Sequence, residues 1–221
     1  MLTPEQRARA VVERLEQEYP DAICALQYTK DYELLFATRL SAQCTDKRVN
    51  IITKDLYAKF PTLESFALAT EGEIEQIIRP CGLGNSKARD IHAAAVYLLE
   101  VHNGKVPGTM KELLKIPGVG RKTANLILGD LYHQPAIVTD THCIRLANRI
   151  GLVDGIKEPA KVEKALRPLI PPEKSSDFCH RLVLHGREVC TARKPYCERC
   201  CLKDICKTGS EQSKPPVEPV V

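Results

Sequence analysis

The sequence of 221 residues predicts an all-α fold. Apolar residues recur at helical spacing through most of the chain, and several of these stretches begin at a helix-capping residue. No stretch alternates apolar and polar residues between hairpin signals, as a strand would. A hydrophobic content of 43% and a charged content of 27% are typical of a globular protein that buries a core, as one domain or two small ones.

The helices follow in order along the chain. Thr3 and Gln6 form a capping box at the first helix, and Asp31 is predicted to cap a second helix that runs toward Gln43. Thr70 with Glu73 forms another capping box. The other predicted helices are the Val49–Phe60 stripe, the Ile91–Leu98 stripe after Ser86, a short helix between Thr109 and Pro117, Thr123–Asp130, Thr141–Ile150, Glu158–Leu166 and Ser176–Val189. Residues 208–221 are Pro-rich without periodicity and are predicted to be a disordered tail.

Four cysteines lie close together near the C-terminus, in a segment too short to hold a hydrophobic core of its own. Their spacing is C-x6-C-x2-C-x5-C, and they are Cys190, Cys197, Cys200 and Cys206. Four thiolates this close in sequence are typical of a tetrahedral metal centre or an iron–sulfur cluster. Basic residues surround them, and Arg193 and Lys194 in the loop are candidate contacts to phosphate.

Three interpretations of this tetrad are open. Disulfides belong to oxidising compartments, whereas the first residues contain no apolar run that would serve as a signal peptide, which favours a reducing, intracellular home. A zinc ribbon usually offers two C-x2-C pairs, and only Cys197 and Cys200 form one, so the spacing leans mildly toward a cluster. Cys201 could replace Cys200 as the ligand by a one-residue slip.

A second motif is a glycine turn between two predicted helices. Its sequence is Pro117-Gly118-Val119-Gly120-Arg121-Lys122. The glycines permit positive φ angles and leave no side chain between the backbone and an approaching group. Outward-pointing amides at the turn and the first helical turn then make an anion site, reinforced by the helix dipole. This is a helix–hairpin–helix pattern, which contacts a DNA phosphate without reading sequence; an ordinary turn between helices is the alternative.

Two further segments accompany these motifs: Leu40-Ser41-Ala42-Gln43-Cys44-Thr45-Asp46 and Ile137-Val138-Thr139-Asp140-Thr141-His142. Together the four features resemble the endonuclease III family of helix–hairpin–helix DNA glycosylases, and the resemblance covers residues 1 to about 207. The resemblance implies two helical domains with a DNA-binding cleft between them. Residues 23–134 would form a six-helix barrel domain that carries the hairpin, and 1–22 with 135–207 an iron–sulfur domain. It also implies a [4Fe–4S] cluster on the four cysteines. The implied activity is excision of oxidised pyrimidines from double-stranded DNA, followed by cleavage of the abasic strand.

Lys122 matches the family's nucleophilic lysine, which attacks the sugar C1′, forms a Schiff base and then permits β-elimination. Cutting an N-glycosidic bond needs such a nucleophile. Deprotonating an ordinary lysine near neutral pH costs about 4 kcal/mol, and a helix N-terminus supplies only about 0.3–1 kcal/mol of it. Repulsion from Arg121 and partial burial of Lys122 are therefore predicted to supply the rest. A phosphate-binding or solvated lysine is the alternative.

Asp140 directly precedes a predicted helix and is expected to be its N-cap. It also matches the family's catalytic aspartate, which stabilises cationic character at the sugar and helps to activate the lysine. The two roles are compatible, because a helix N-terminus favours the ionised carboxylate. His142 matches a family position that reaches toward the opened duplex; taken alone, it would be a surface residue.

Extruding a base leaves a gap in the duplex that inserted side chains fill. Gln43 and Leu83 match the family's inserted residues; the alternatives are a polar residue at a helix end and a loop leucine that covers the core. The chain departs from the family pattern at Cys44, Cys81 and Gly84, where a small residue, an aliphatic residue and often an aromatic one are expected. These departures bear on lesion preference more than on the chemistry.

The composition of the chain limits the classes of partner that the protein is expected to bind. A net charge of +4 permits a nucleic-acid partner, and the absence of Trp with 5% aromatic residues argues against a stacking platform for single strands. No apolar run approaches the ~20 residues that cross a bilayer. The predicted protein is a cytoplasmic monomer, associated with the nucleoid in a prokaryote, whose partner is double-stranded DNA that contains oxidised pyrimidines or abasic sites.

Three competing functions remain. A relative that removes mismatched adenine or thymine by water attack alone would lack a lysine at the position of Lys122. A non-catalytic DNA-binding or redox-sensing cluster protein would need the hairpin and the cysteines, but not Lys122 together with Asp140. A nucleic-acid-binding protein whose cysteines bind zinc would differ from the two iron–sulfur alternatives, because zinc gives no visible absorbance.

Overall fold

The computed structural model describes residues 2–212, and its regular elements there are all helices. Within those residues the extended segments pair only at an isolated bridge between Cys190 and Pro195, so the predicted all-α fold is confirmed. The chain forms two compact units: Cys24–His133 is one, and the two chain ends, up to Ile23 and from Gln134 on, form the other. None of the described helices is long and apolar enough to cross a membrane.

The central unit, Cys24–His133, contains seven α-helices and one 3₁₀-helix. They are α2 (Asp31–Leu40), α3 (Asp46–Lys59), α4 (Leu63–Leu68), α5 (Glu71–Ile78), the 3₁₀-helix Arg79–Cys81, α6 (Gly84–His102), α7 (Met110–Leu113) and α8 (Arg121–Asp130). Helix α6 packs against α4 and α5. Phe36 and Phe66, both fully buried, meet edge to face at 5.0 Å between ring centroids. Burying each ring contributes about 1.5–3 kcal/mol, so this pair anchors α2 on α4.

Within its described residues, 2–23 and 134–212, the unit built from both chain ends contains five α-helices and two 3₁₀-helices. They are α1 (Pro4–Glu18), α9 (Thr141–Ile150), α10 (Pro159–Leu166), the 3₁₀-helix Pro172–Lys174, α11 (Ser175–Glu188), the 3₁₀-helix Cys197–Arg199 and α12 (Lys207–Gln212). Helix α11 packs against α1 and α9. Arg14 on α1 donates to the Cys201 carbonyl at 2.9 Å and pairs with Asp204. The N-terminal helix is therefore tied directly to the cysteine segment.

Side-chain caps set most of the helix starts. The predicted capping boxes Thr3–Gln6 and Thr70–Glu73 are both formed. The prediction for Asp31 was wrong: Asp31 is the first residue of α2, and the N-cap position is Lys30. The Glu33 carboxylate takes over the capping, because its Oε2 accepts from the backbone amides of Thr29 and Lys30 at 2.7 and 3.1 Å.

Two further differences concern short helices. Helix α4 was not predicted from the sequence, because its six residues are too few to show a periodic apolar stripe. Its start carried a signal nonetheless, since Thr62 and Ser65 form a capping box. The predicted disordered tail, 208–221, overlaps α12, so residues 208–212 are helical instead. Ser210 N donates to the Cys206 carbonyl at 2.9 Å and joins this helix to the cysteine segment. Residues 213–221 lie outside the described part of the chain.

Candidate functional site

The glycine turn is built as the sequence predicts. Gly118 has a φ of +75°, and Gly120 is the extended N-cap residue of α8. Both glycines are exposed, so the backbone of the turn lies at the surface. Gly120 has no side chain to accept from the first amides of α8, which suits a helix start that receives an external anion. The Val119 amide has a different role, because it donates to the Ile116 carbonyl at 3.1 Å and closes the turn.

A salt bridge supports the turn from below. A Cβ added at Gly118 would lie 2.8 Å from Cβ of Asp90, so glycine is required both by φ and by this close approach. Asp90 in turn accepts from Nε of Arg39 at 2.7 Å, and both side chains are largely buried. The salt bridge therefore fixes α6 against α2 directly under the turn.

Lys122 is the second residue of α8, and its side chain is exposed. The predicted partial burial of Lys122 is not found, because the residue is exposed. The helix pattern explains this: Ala124, Ile127 and Leu128 carry the buried face of α8, and Lys122 falls on the opposite face.

Asp140 is the N-cap of α9, as predicted. Its Oδ1 accepts from the backbone amide of Cys143 at 2.7 Å, and its side chain is half-buried. Its own amide donates to the Val138 carbonyl at 3.1 Å, which fixes the approach of the chain into the helix. The carboxylate thus has a rigid backbone on both sides. Cys143 is fully buried behind it, so the cap sits on packed core.

His142, in the first turn of α9, is engaged within its own unit. Its Nδ1 lies 3.1 Å from Nη2 of Arg145. A Cβ added at Gly186 would come within 2.5 Å of the same ring nitrogen, so the imidazole lies against the backbone of α11. Arg145 also donates to the carbonyls of Gly186 and Cys190, each at 3.0 Å, and thereby links α9 to the start of the cysteine segment.

The four cysteines of the tetrad line a single cavity of about 390 Å³, measured with its opening to solvent. Its apolar walls include Leu146, Ile150, Val189 and Leu202. All four thiols are half-buried and unlinked. Cys201 does not line the cavity, which assigns the fourth inward position to Cys200. Among residues 2–212, no three His, Cys, Asp or Glu side chains are drawn together closely enough to hold one metal ion.

Two polar residues outside the tetrad contact three of its four sulfurs. Nη1 of Arg149 lies 3.5 Å from Sγ of Cys190, and its backbone carbonyl accepts from Sγ of Cys206 at 3.3 Å. Nε2 of His185 lies 3.3 Å from Sγ of Cys200, while its Nδ1 meets the Tyr19 hydroxyl at 3.2 Å. Neither residue was predicted from the sequence. For His185 the signal was a lone histidine on the apolar face of α11.

Arg193 and Lys194 are exposed on the loop between Cys190 and Cys197. Thr191 organises this loop, since its Oγ1 donates to the Lys194 carbonyl at 2.7 Å and accepts from the Lys194 amide at 3.3 Å. The loop thereby presents both cations on a fixed backbone.

Gln43 and Leu83 share an unusual backbone conformation. Both have left-handed φ angles, +56° and +54°, and both side chains are exposed. Leu83 is 55% exposed, which contradicts the alternative that it covers the core. Non-glycine residues in this region are strained by about 1–3 kcal/mol and cluster at functional sites.

Lys87, which was not predicted from the sequence, joins the turns that precede these two residues. This lysine is completely buried, and its Nζ donates to the carbonyls of Leu40, Ala42 and Cys81 at 2.8, 2.7 and 2.8 Å. Burial lowers the pKa of its ammonium. Three carbonyls replace the lost water and thereby join the turn before Gln43 to the turn before Leu83. The available signal was a lysine in register with Ile91, Ala94 and Leu98 on the apolar face of α6.

Comparison with known proteins agrees with this geometry. The family model for HhH-GPD superfamily base excision DNA repair proteins matches residues 36–172. Endonuclease III from Synechocystis is 42% identical over 210 residues, covering 95% of each chain. Endonuclease III from Rickettsia felis is 41% identical over 202 residues, covering 91% of this chain and 94% of its own. The solved structure of a trapped endonuclease III–DNA covalent intermediate superposes with a TM-score of 0.90 at 40% identity, over 97% of this chain and all of that one. The chain therefore belongs to the HhH-GPD superfamily of base-excision DNA repair proteins and, within it, to the endonuclease III family.

Proposed function

We propose that this base-excision repair glycosylase and AP lyase acts on oxidised pyrimidines in double-stranded DNA, with Lys122 as its nucleophile. The observation that carries the proposal is the exposed lysine one residue inside a helix whose N-cap is a bare glycine turn. The turn offers backbone donors to a phosphate, and the amine projects from the same helix start. The protein is proposed to work as a monomer in the cytoplasm.

The proposed reaction is covalent. Lys122 Nζ attacks C1′ of the extruded nucleotide, the N-glycosidic bond breaks, and the base leaves. The sugar ring then opens to a Schiff base on Lys122, and loss of a C2′ proton expels the 3′ phosphate. Because Lys122 is exposed in the protein alone, we infer that bound DNA supplies the desolvation that favours the neutral amine. The relative solved as a trapped covalent intermediate with DNA is consistent with this route.

Asp140 is proposed to stabilise the positive charge that develops on the sugar as the base departs. One carboxylate oxygen is used by the cap to Cys143, which holds the group rigid without neutralising it. A fixed charge that needs no reorganisation during reaction contributes several kcal/mol in such sites.

The cysteine tetrad is proposed to hold a [4Fe–4S] cluster. A zinc ion with Zn–S bonds of about 2.3 Å would draw its four sulfurs within ~4 Å of one another. The four thiols line one cavity with apolar walls, which is compatible with a cluster that each thiolate ligates through a separate iron. Cys190, Cys197, Cys200 and Cys206 would be its ligands, and when bound it would fix the loop that carries Arg193 and Lys194.

Metal analysis tests this assignment. Anaerobically purified protein is expected to be yellow-brown and to contain about four irons per chain. Removing the iron should make the segment from Cys190 to Cys206 sensitive to protease, because that segment has no core of its own. Stoichiometric zinc without iron, in a preparation that still cleaves damaged DNA, would contradict the cluster.

Lesion specificity is tested with a panel of duplexes. Duplexes with thymine glycol or dihydrouracil are expected to lose the base and be nicked at the same site, while undamaged thymine survives. An adenine–guanine mismatch is the informative control. Removal of its adenine without strand cleavage, with the oxidised pyrimidines untouched, would favour the water-attack relative over the proposed function.

Leu83 and Gln43 are proposed to fill the gap left by the extruded base, so Leu83 should matter only after a base has left the stack. Leu83→Ala is expected to spare binding to undamaged duplex and to slow excision, less so for a poorly paired lesion that is easily extruded. Leu68→Ala is the matched control, since Leu68 is an 87% exposed leucine on α4. Loss of thermal stability with unchanged excision in Leu83→Ala would overturn the role.

The loop cations are proposed to bind phosphates, together with His142 and the glycine turn. In that turn the backbone of Gly118, Gly120 and Arg121 would face the phosphate, while the Val119 amide closes the turn. Replacing Arg193 or Lys194 by Ala is expected to weaken binding to damaged and undamaged DNA equally. The slope of log K against log salt should fall by about 1 for each lost contact. Arg9→Ala, which removes an exposed arginine from α1, serves as the control. A loss confined to damaged DNA would contradict a purely phosphate-binding role.

A further inference from the structure

Two cysteines outside the tetrad lie on neighbouring turns beside the proposed insertion residues. Cys44 directly follows Gln43, and Cys81 lies two residues before Leu83. The Cys44 thiol lies close enough to Cys81 to help raise the pKa of the Cys81 thiol. Both are free, Cys44 half-buried and Cys81 buried. No other two cysteines lie within two positions of Gln43 and Leu83 in the sequence.

The backbone keeps these thiols together independently of their own contact. Cys44 lies two residues before α3, and its amide donates to the Ser41 carbonyl at 3.2 Å. Cys81 ends the 3₁₀-helix Arg79–Cys81, and that helix packs against α3. The buried Lys87 ammonium binds the carbonyls of Ala42 and Cys81. The two turns are therefore held at one distance by a helix contact and by a shared donor.

We propose that Cys44 and Cys81 form a reversible disulfide with low-molecular-weight disulfides as oxidant, and that this bond restrains the Gln43 and Leu83 turns and slows lesion excision. The effect on excision rests on the proposed function; the disulfide itself does not.

The exchange is balanced in two steps. Sγ of Cys44, the more accessible thiol, attacks one sulfur of the small disulfide, whose S–S bond breaks and releases one thiolate. Sγ of Cys81 then attacks Sγ of Cys44, and the second small thiolate leaves. Two protons pass from the cysteines to the released thiols, and two electrons reduce the small disulfide. Burial raises the pKa of Cys81 to about 11, with the Cys44 thiol adding to the effect, which suits Cys81 as the second rather than the first attacker.

The expected consequence follows from bond geometry. A disulfide brings two sulfurs from contact to about 2.05 Å and holds the Cβ atoms about 3.5–4.5 Å apart. Cys44 adjoins Gln43, whose left-handed φ of +56° is already strained for a residue with a side chain. A displacement of about 1 Å at a positioning group can cost as much as 100-fold in rate. Excision should therefore fall at least about tenfold, while binding to undamaged DNA, which depends on phosphate contacts, is spared.

The other cysteines are poorer targets. Cys143 and Cys179 also contact each other, but they are 0% and 3% exposed, so a small disulfide cannot reach them. Cys24 is half-buried, and its thiol is hydrogen-bonded to Asp130 instead of to a second cysteine. Cys24→Ala is thus a matched control in the same unit, whereas Cys44→Ala removes the proposed bond with a small residue at a half-buried position.

The test uses cluster-loaded protein without oxygen, equilibrated in mixtures of reduced and oxidised glutathione and then alkylated. Visible absorbance monitors the cluster throughout. Non-reducing peptide mapping is expected to find the Cys44–Cys81 linked peptide in wild type and Cys24→Ala, and not in Cys44→Ala. The oxidised wild type should excise at least about tenfold more slowly and recover on reduction with dithiothreitol, whereas Cys44→Ala is unaffected.

Two results would overturn the proposal: no linked peptide at any glutathione ratio, or a linked peptide with unchanged excision. An enzyme that fails to excise even when reduced would count against the proposed function instead, and peptide mapping would still decide whether the disulfide forms.

Discussion

Lys122→Ala is expected to abolish both the borohydride-trapped protein–DNA adduct and strand cleavage, with a loss of rate on the order of 10³-fold or more. The reason is that the amine is proposed to make the only covalent bond to the sugar, and alanine has no group that replaces it. The measurement is denaturing electrophoresis of a labelled lesion duplex incubated with the enzyme and borohydride, alongside single-turnover cleavage.

Lys115→Ala is the matched control, because Lys115 is an exposed lysine on the other side of the same glycine turn. It should still be trapped, which separates the nucleophile from a general need for positive charge near the turn. Lys122→Arg extends this comparison by keeping the charge and removing the nucleophile. Trapping in Lys122→Ala would place the nucleophile elsewhere, and base release without trapping would indicate attack by water.

Local signals predicted most of the helices. The Thr3 and Thr70 capping boxes, the glycine turn and the Asp140 cap involve residues three or four apart, so the sequence contains both partners of each interaction. Asp31 shows the limit of this reasoning. Both Asp31 and Glu33 lie near the start of α2 and are able to cap it. Glu33 does so because the chain before the helix places the Thr29 and Lys30 amides next to its carboxylate.

The candidate site was predicted where its chemistry is local and missed where it depends on distant contacts. The four tetrad cysteines could be predicted to share a site because they lie close together in the sequence, and in the structure they line one cavity. Lys87 binds carbonyls up to 47 residues away, and His185 meets Tyr19 at a separation of 166 residues. A buried polar residue whose partners lie this far off appears in a sequence only as an exception on an apolar helix face. The exposure of Lys122 was not predicted either, because burial within the protein was expected to contribute to the activation of this lysine.

Asp140→Asn is expected to lower the excision rate by a factor on the order of 10²–10³ while leaving the fold and DNA binding intact. The substitution removes the negative charge that is proposed to face the cationic sugar. It keeps the helix cap. In the wild type the Cys143 amide donates to Oδ1 of Asp140 at 2.7 Å, and the side-chain oxygen of asparagine can accept the same hydrogen bond. Asparagine also caps helices about as well as aspartate. Single-turnover excision, duplex binding and thermal unfolding together measure the three effects.

Two further variants separate charge from capping. Asp140→Ala removes both and should lose about 1 kcal/mol of stability, or roughly 2–4 °C in Tm, in addition to the rate. Thr70→Ala removes the side-chain cap of α5, so it should lose comparable stability and keep its rate. If Asp140→Asn excises at the wild-type rate and only Asp140→Ala is impaired, Asp140 acts as a helix cap and the charge on the sugar must be stabilised by another group. If Asp140→Asn loses its rate at an unchanged Tm, the carboxylate charge itself is what the reaction requires, because every other property of the cap has been preserved.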